Sequence, residues 1–197
     1  MTENHDETAG MTEAELARHS EKMAKKKQAR EKIMATKTDE KGLVIVHTGK
    51  GKGKSTAGFG MIFRHIAHKK PCAVVQFIKG AMVTGERDLI EAHFADLCQF
   101  FTLGEGFTWE TQDKARDIAA ATRAFEKAKE LMADESIRLL VLDEINIALR
   151  YDYLDLGRVV AALAARPPSL HVVVTGRNAK PDLLAAADLV TEFGQQK

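Results

Sequence analysis

From Gly42 onward, apolar runs of strand length alternate with stretches whose apolar residues recur every three or four positions, and this alternation narrows the fold more than any other feature of the chain. Such alternation is the pattern of βαβ units, in which parallel strands are joined by helices that cover the sheet. The predicted strands are residues 43–47, 72–77, 99–103, 139–142, 171–175 and 189–191. Segment 55–68 carries Phe59, Ile62, Phe63 and Ile66 at helical spacing. Segment 111–133 does the same with Ala115, Ile118, Thr122, Phe125 and Met132. The expected architecture is an α/β three-layer fold with a mainly parallel sheet of about six strands and helices on both faces.

Residues 1–41 stand apart. Acids dominate from Glu3 to Glu21, and a basic run follows at Lys22, Lys25, Lys26, Lys27, Arg30 and Lys32. Leu16, Met23 and Ile33 are too sparse to make an apolar stripe, so this arm is helix-prone without a core of its own. It is either a solvated arm or a lid that orders over substrate; residues 42–197 form the ligand-binding domain. Lys plus Arg number 29 against 28 Asp plus Glu, so no global field gathers nucleic acid or anionic membrane, and a polyanion must be held by a local site. Cys72 and Cys98 sit in apolar runs, which suggests neither a disulfide framework nor a zinc site. The amino terminus lacks a signal-peptide pattern and no apolar run is long enough to span a membrane, so a soluble, cytoplasmic protein is expected.

The local site is legible at Thr48-Gly49-Lys50-Gly51-Lys52-Gly53-Lys54-Ser55-Thr56, between a predicted strand and a predicted helix. Glycines let backbone N–H groups turn inward, the helix adds its positive end, Lys54 reaches phosphate oxygens and Ser55 meets a magnesium ion. A flexible Gly/Lys linker is the bland alternative. Thr48 stands where the usual spacing puts the first glycine. Lys50 and Lys52 add two ammonium groups, which suits a whole triphosphate held as one unit and hints that it is the leaving group. Lys54 is expected at a position with no core burial to lose.

The run Leu139-Leu140-Val141-Leu142-Asp143-Glu144 ends an apolar strand in two carboxylates and resembles a Walker B segment. One carboxylate orders the magnesium shell and the other orients a ligand or water; a helix cap by Asp143 is the structural alternative. After the third strand, Gly104-Glu105-Gly106-Phe107-Thr108-Trp109 places the single tryptophan in a polar, glycine-rich loop. Phe107 and Trp109 are either loop anchors or a flat apolar surface for a large planar ligand.

These motifs, with Val75-Gln76-Phe77-Ile78-Lys79-Gly80, Leu142-Asp143-Glu144-Ile145-Asn146 and Thr175-Gly176-Arg177-Asn178-Ala179, resemble the P-loop class of ATP:corrinoid adenosyltransferases over nearly everything after Gly42. The resemblance implies a RecA-like sheet, a homodimer, and transfer of the 5′-deoxyadenosyl group of ATP to the cobalt of a reduced corrinoid, with triphosphate released. It places ATP on Gly49, Lys50, Gly51, Lys52, Gly53, Lys54, Ser55, Thr56 and Arg177. It puts magnesium, or manganese, on Ser55, Asp143 and Glu144, and the corrinoid against Phe107 and Trp109. It makes Lys54, Glu144, Phe107 and Trp109 the residues that carry the chemistry, and a reduced flavoprotein such as flavodoxin the electron donor. Two competing readings are an ordinary P-loop kinase or ATPase, which makes ADP, and a nucleotide-dependent regulator whose basic arm holds RNA or DNA.

Overall fold

The computed structural model describes residues 12–78, 84–104 and 113–197. They divide into two units, with the boundary between Glu40 and Lys41. In the first unit, α1 (Glu13–Ala35) starts in a capping box: Thr12 Oγ1 accepts from Glu15 N–H, and the Glu15 carboxylate accepts from Thr12 N–H. None of its residues is buried, and Lys25 pairs with Glu21 one turn earlier at 2.6 Å.

The second unit holds β1 (Val44–Thr48), α2 (Lys54–Ala67), β2 (Cys72–Gln76), α3 (Gly85–His93), β3 (Cys98–Thr102), α4 (Lys114–Ala133), β4 (Leu139–Asp143), α5 (Ile145–Arg150), α6 (Leu156–Ala165), β5 (His171–Thr175), α7 (Pro181–Ala185) and β6 (Leu189–Glu192). The six strands form one sheet in the order β3-β2-β4-β5-β1-β6, every pair parallel. Observed strand ends lie within a residue of those expected. Helix α4 begins at Lys114, capped by the Asp113 carboxylate, which accepts from Arg116 N–H at 3.1 Å; the expected start at 111 falls outside the described residues. Helices α3, α5, α6 and α7 were not anticipated, because they are too short to show a sustained period.

Strand alternation divides the core between two faces. Val44, Val46, Val75, Leu140, Leu142, Val172 and Val174 point to one side, under Phe125 and Ala128 of α4, Leu149 of α5 and Leu163 of α6. Ile45, Val74, Leu139, Val141 and Val173 point to the other, under Phe59, Ile62 and Ile66 of α2 and Ile90 of α3. Strands covered on both faces have no polar alternation, which is why they read as continuous apolar runs. Cys72 and Cys98 are adjacent register partners in β2 and β3, both buried and both free thiols.

All strands being parallel, their carboxyl ends share one edge. From β1 the chain crosses on the α2 face toward β2, and from β5 it passes through α7, whose Leu183 packs on the opposite face, to reach β6 on the other side of β1. The connections after β1 and β5 therefore diverge, opening a crevice above these strands where doubly wound sheets bind ligands.

His47, His65 and His171 are each held below the ordinary histidine value of 6.5, mainly by burial. A folded imidazole with a lowered pKa binds fewer protons than the unfolded one, so its stabilising contribution is full above 6.5 and is lost as pH falls below it. Urea unfolding at pH 7.5 and pH 5 should give a lower midpoint at pH 5, and His65→Gln with His171→Gln should shrink that difference.

Candidate functional site

The loop after β1 owes its shape to two left-handed glycines, Gly49 at φ 100° and Gly53 at φ 103°, and to the carboxyl-terminal segment that lies against it. Phe193 N–H donates to Thr48 O at 2.9 Å, and Gly51 N–H donates to Phe193 O at 2.7 Å. A Cβ on Gly49 would stand 2.5 Å from Phe193 O, and one on Gly51 2.5 Å from Gly194 O. These glycines therefore serve the approach of the protein's own backbone as well as loop geometry.

Lys54 opens α2, and its ammonium donates to the carbonyls of Gly49 at 2.9 Å and Gly51 at 2.5 Å. The side chain is only 6% exposed, which corrects the expectation that it has no burial to lose. Burial pushes its pKa below the usual lysine value; Glu144 opposes that shift, while Arg177 and Lys52 add to it. Three charged groups from three segments of the chain thus act on Lys54. Ser55 is half-buried, and Lys50, Lys52 and Thr56 are exposed. His47, buried beneath the loop, meets Lys54 O through Nδ1 at 3.3 Å and packs edge-on against Phe193.

Asp143 ends β4 completely buried. Its Oδ1 accepts from Thr175 Oγ1 at 2.8 Å, and its Oδ2 accepts from Gln76 Nε2 at 3.0 Å. Gln76 Oε1 accepts in turn from Thr102 Oγ1 at 3.2 Å, and Glu144 N–H donates to Thr175 Oγ1 at 2.9 Å. A polar chain thus runs across the carboxyl ends of β3, β2, β4 and β5. Gln76 and Thr175 stand in the motifs quoted above, but nothing in their spacing reveals that they meet Asp143. The cap of α5 is Glu144, at φ 63°, and it caps without its side chain; the alternative of a cap by Asp143 is set aside.

The loop after β5 is stapled to β1. Gly176 N–H donates to His47 O at 3.2 Å, and Ala179 N–H donates to Thr48 Oγ1 at 3.0 Å. Thr48, the departure from the usual loop spacing, therefore holds the neighbouring segment with its hydroxyl. Asn146 Nδ2 donates to Gly176 O at 3.0 Å, and a Cβ on Gly176 would lie 2.8 Å from Asn146 Cβ and 3.1 Å from Glu144 Oε2. These contacts carry exposed Arg177 to the phosphate loop. The loop residues, Asp143, Glu144 and Arg177 are thus brought together, whereas Phe107 and Trp109 lie outside the described residues.

A hydroxyl and two carboxylates form an all-oxygen set of the kind that suits magnesium. The described residues contain no group of three or more His, Cys, Asp or Glu able to hold a metal ion. Magnesium would be held here only in the mode in which one or two carboxylates act together with substrate phosphates.

A phosphate loop facing paired carboxylates at the carboxyl edge of a parallel sheet defines a P-loop nucleotide-binding enzyme. The family model for ATP:corrinoid adenosyltransferase BtuR/CobO/CobP matches residues 40–197, and the chain belongs to that family, which transfers the adenosyl group of ATP to a reduced corrinoid in cobalamin synthesis. A corrinoid adenosyltransferase of Sinorhizobium sp is 74% identical over 182 residues, covering 92% of this chain and 85% of its own. Those of Pseudomonas aeruginosa and Escherichia coli K12 are 49% and 42% identical, over 91% and 89% of this chain and 88% of each relative.

Thr48→Val keeps the shape of the side chain and removes the acceptor for Ala179 N–H. It should cost about 1–3 kcal/mol in urea unfolding, and Thr48→Ser should recover most of that.

Proposed function

We propose that ATP binds with its triphosphate in the loop 49–56 and that the cobalt of a Co(I) corrinoid attacks C5′. The new cobalt–carbon bond takes both electrons from Co(I). The C5′–O5′ bond breaks, and its pair leaves on O5′ with intact triphosphate. The observation that carries this reading is the convergence of Lys54, Lys52 and Arg177 on one loop, with Glu144 beside them. Cations so placed stabilise a polyphosphate whose charge grows as it departs, which is where positioned charge accelerates a reaction. Co(I) is already a strong nucleophile, so the protein's main task is to align cobalt and C5′.

Lys54 and the backbone N–H groups of the loop hold the phosphates, Arg177 covers them from the loop after β5, and Ser55, Asp143 and Glu144 serve magnesium. Asp143, its oxygens already met by Gln76 and Thr175, suits a role one step behind Glu144. Magnesium, when bound, neutralises part of the triphosphate charge. Phe107 and Trp109 face the corrin and keep the lower axial side of cobalt dry; in sequence they follow β3, whose carboxyl end lies at the same sheet edge as the phosphate loop. By family resemblance, a reduced flavoprotein such as flavodoxin supplies the electrons and the protein works as a homodimer. A cytoplasmic setting accords with two free cysteines and with the lack, among the described residues, of a helix long and apolar enough to cross a membrane.

Anaerobic incubation with Mg-ATP and chemically reduced corrinoid should yield one light-sensitive adenosylcorrinoid and one triphosphate per turnover; stoichiometric ADP without a cobalt–carbon product would overturn the reading. Lys54→Ala removes a charge-assisted phosphate contact worth about 1.5–3 kcal/mol, so equilibrium binding of ATP should weaken about ten- to a hundredfold. Because Lys54 also ties the loop carbonyls together, its thermal midpoint should drop as well, and addition of ATP should restore less of it than in the wild type.

A further inference from the structure

At the opposite edge of the sheet, a cavity of about 410 Å3 is lined by His65, Lys69, Lys70, Pro71, Arg138, Ser169 and His171. Arg138 leads into β4, His171 opens β5, and Lys70 precedes β2 by two residues, so the amino ends of the three central strands meet there. No acidic side chain is among the residues that line it. Burial lowers the pKa of both imidazoles, and neighbouring cations lower it further: Lys70, His68 and Arg64 on His65, and His65, Lys70 and Arg166 on His171, with Arg166 itself paired to Asp188 at 3.6 Å. Arg138 donates to Ser169 Oγ at 2.8 Å, which orients its guanidinium at the rim.

Helix α2 ends beside the cavity, and exposed carbonyls at a helix end would repel an anion. Here the carbonyls of Arg64, His65 and Ile66 already accept from the N–H groups of His68, Lys70 and Lys69. The two rings, 6.0 Å apart edge to face, have defined tautomers. His171 Nδ1 accepts from Leu43 N–H at 3.1 Å, so its Nε2 carries the proton and is a donor. His65 Nδ1 faces Met61 O at 3.0 Å and carries the proton there, so its Nε2 becomes a donor when the ring is charged.

We propose that this cavity binds an oligophosphate. Three permanent cations and two imidazoles spread over three strand ends match a ligand with several charges along its length, whereas a single carboxylate would engage only one or two of them. Burial favours the neutral rings, and an anion favours the charged form of His65, whose Nδ1 already carries a proton toward Met61 O. His171, whose Nδ1 is held as acceptor by Leu43 N–H, serves as a neutral Nε2–H donor. Binding therefore takes up a proton at His65 and tightens as pH falls toward 6.5, the ordinary histidine value.

The test follows the ring Cε1–H NMR signals of the full chain, with His65 and His171 assigned through His65→Gln and His171→Gln. Pyrophosphate is titrated in at pH 6.5 and pH 7.5. Saturable movement of both signals, a rise in the His65 ring pKa and tighter binding at pH 6.5 are expected, with inorganic phosphate and sulfate saturating at higher concentration. Lys70→Glu with Arg138→Glu changes two exposed side chains far from the phosphate loop. It should abolish the movement while adenosyl transfer and the remaining histidine signals stay as in wild type. Signals that do not move, that move equally in sodium chloride of matched ionic strength, or that move unchanged in the double variant would overturn the proposal. A tripolyphosphate arm separates sources: saturation at the lowest concentration assigns the site to free oligophosphate, and saturation no tighter than that of inorganic phosphate overturns the preference for a chain.

Discussion

Asp143 is wholly buried, and a carboxylate taken out of water is tolerated only where hydrogen bonds meet its oxygens. Gln76 and Thr175 supply them from the strands on either side, and each of these partners has a further task. Gln76 accepts from Thr102, and Thr175 accepts the N–H of Glu144 where the backbone turns into the left-handed region. The demand of one buried charge thus ties four strand ends together and sets the direction in which Glu144 leaves the sheet. Removal of one partner from such a network would leave a buried acceptor unmet, which is more costly than the loss of an exposed pair.

The phosphate loop depends on contacts from outside itself. Phe193 and Gly194 lie so close that side chains at Gly49 and Gly51 would strike their backbone, and Lys54 bonds the loop from within. Thr48 and His47 carry the support on to the loop after β5, so Arg177 is placed by the end of β1 and not by its own segment alone. Preorganisation of this kind matters for a reaction whose protein contribution is alignment and charge, because a loop already in position spends less binding energy on ordering.

The two edges of the sheet have contrasting chemistry. At the carboxyl edge, cations converge with carboxylates, an arrangement suited to a metal-bound polyphosphate. At the amino edge, the cavity lining has cations without acids, so an anion there would be held by the protein alone. A parallel sheet separates the two by the length of its strands.

What the sequence by itself determined is what repeats or clusters locally. Apolar runs marked the six strands to within a residue, Gly-Lys spacing marked the phosphate loop, and the Asp143-Glu144 pair marked the end of β4, because each depends on neighbours along the chain. Only the tertiary structure decided which distant groups meet. The near approach of Phe193 to the loop, the use of the Thr48 hydroxyl by Ala179, the burial of Lys54 and the partnership of Gln76 and Thr175 with Asp143 join residues separated by roughly thirty to well over a hundred positions, or hide a side chain that its local pattern leaves in solvent. The physical reason is strand order. With β4 and β5 inserted between β1 and β2, and with β6 placed beyond β1, functional contacts form between strands that no local period relates.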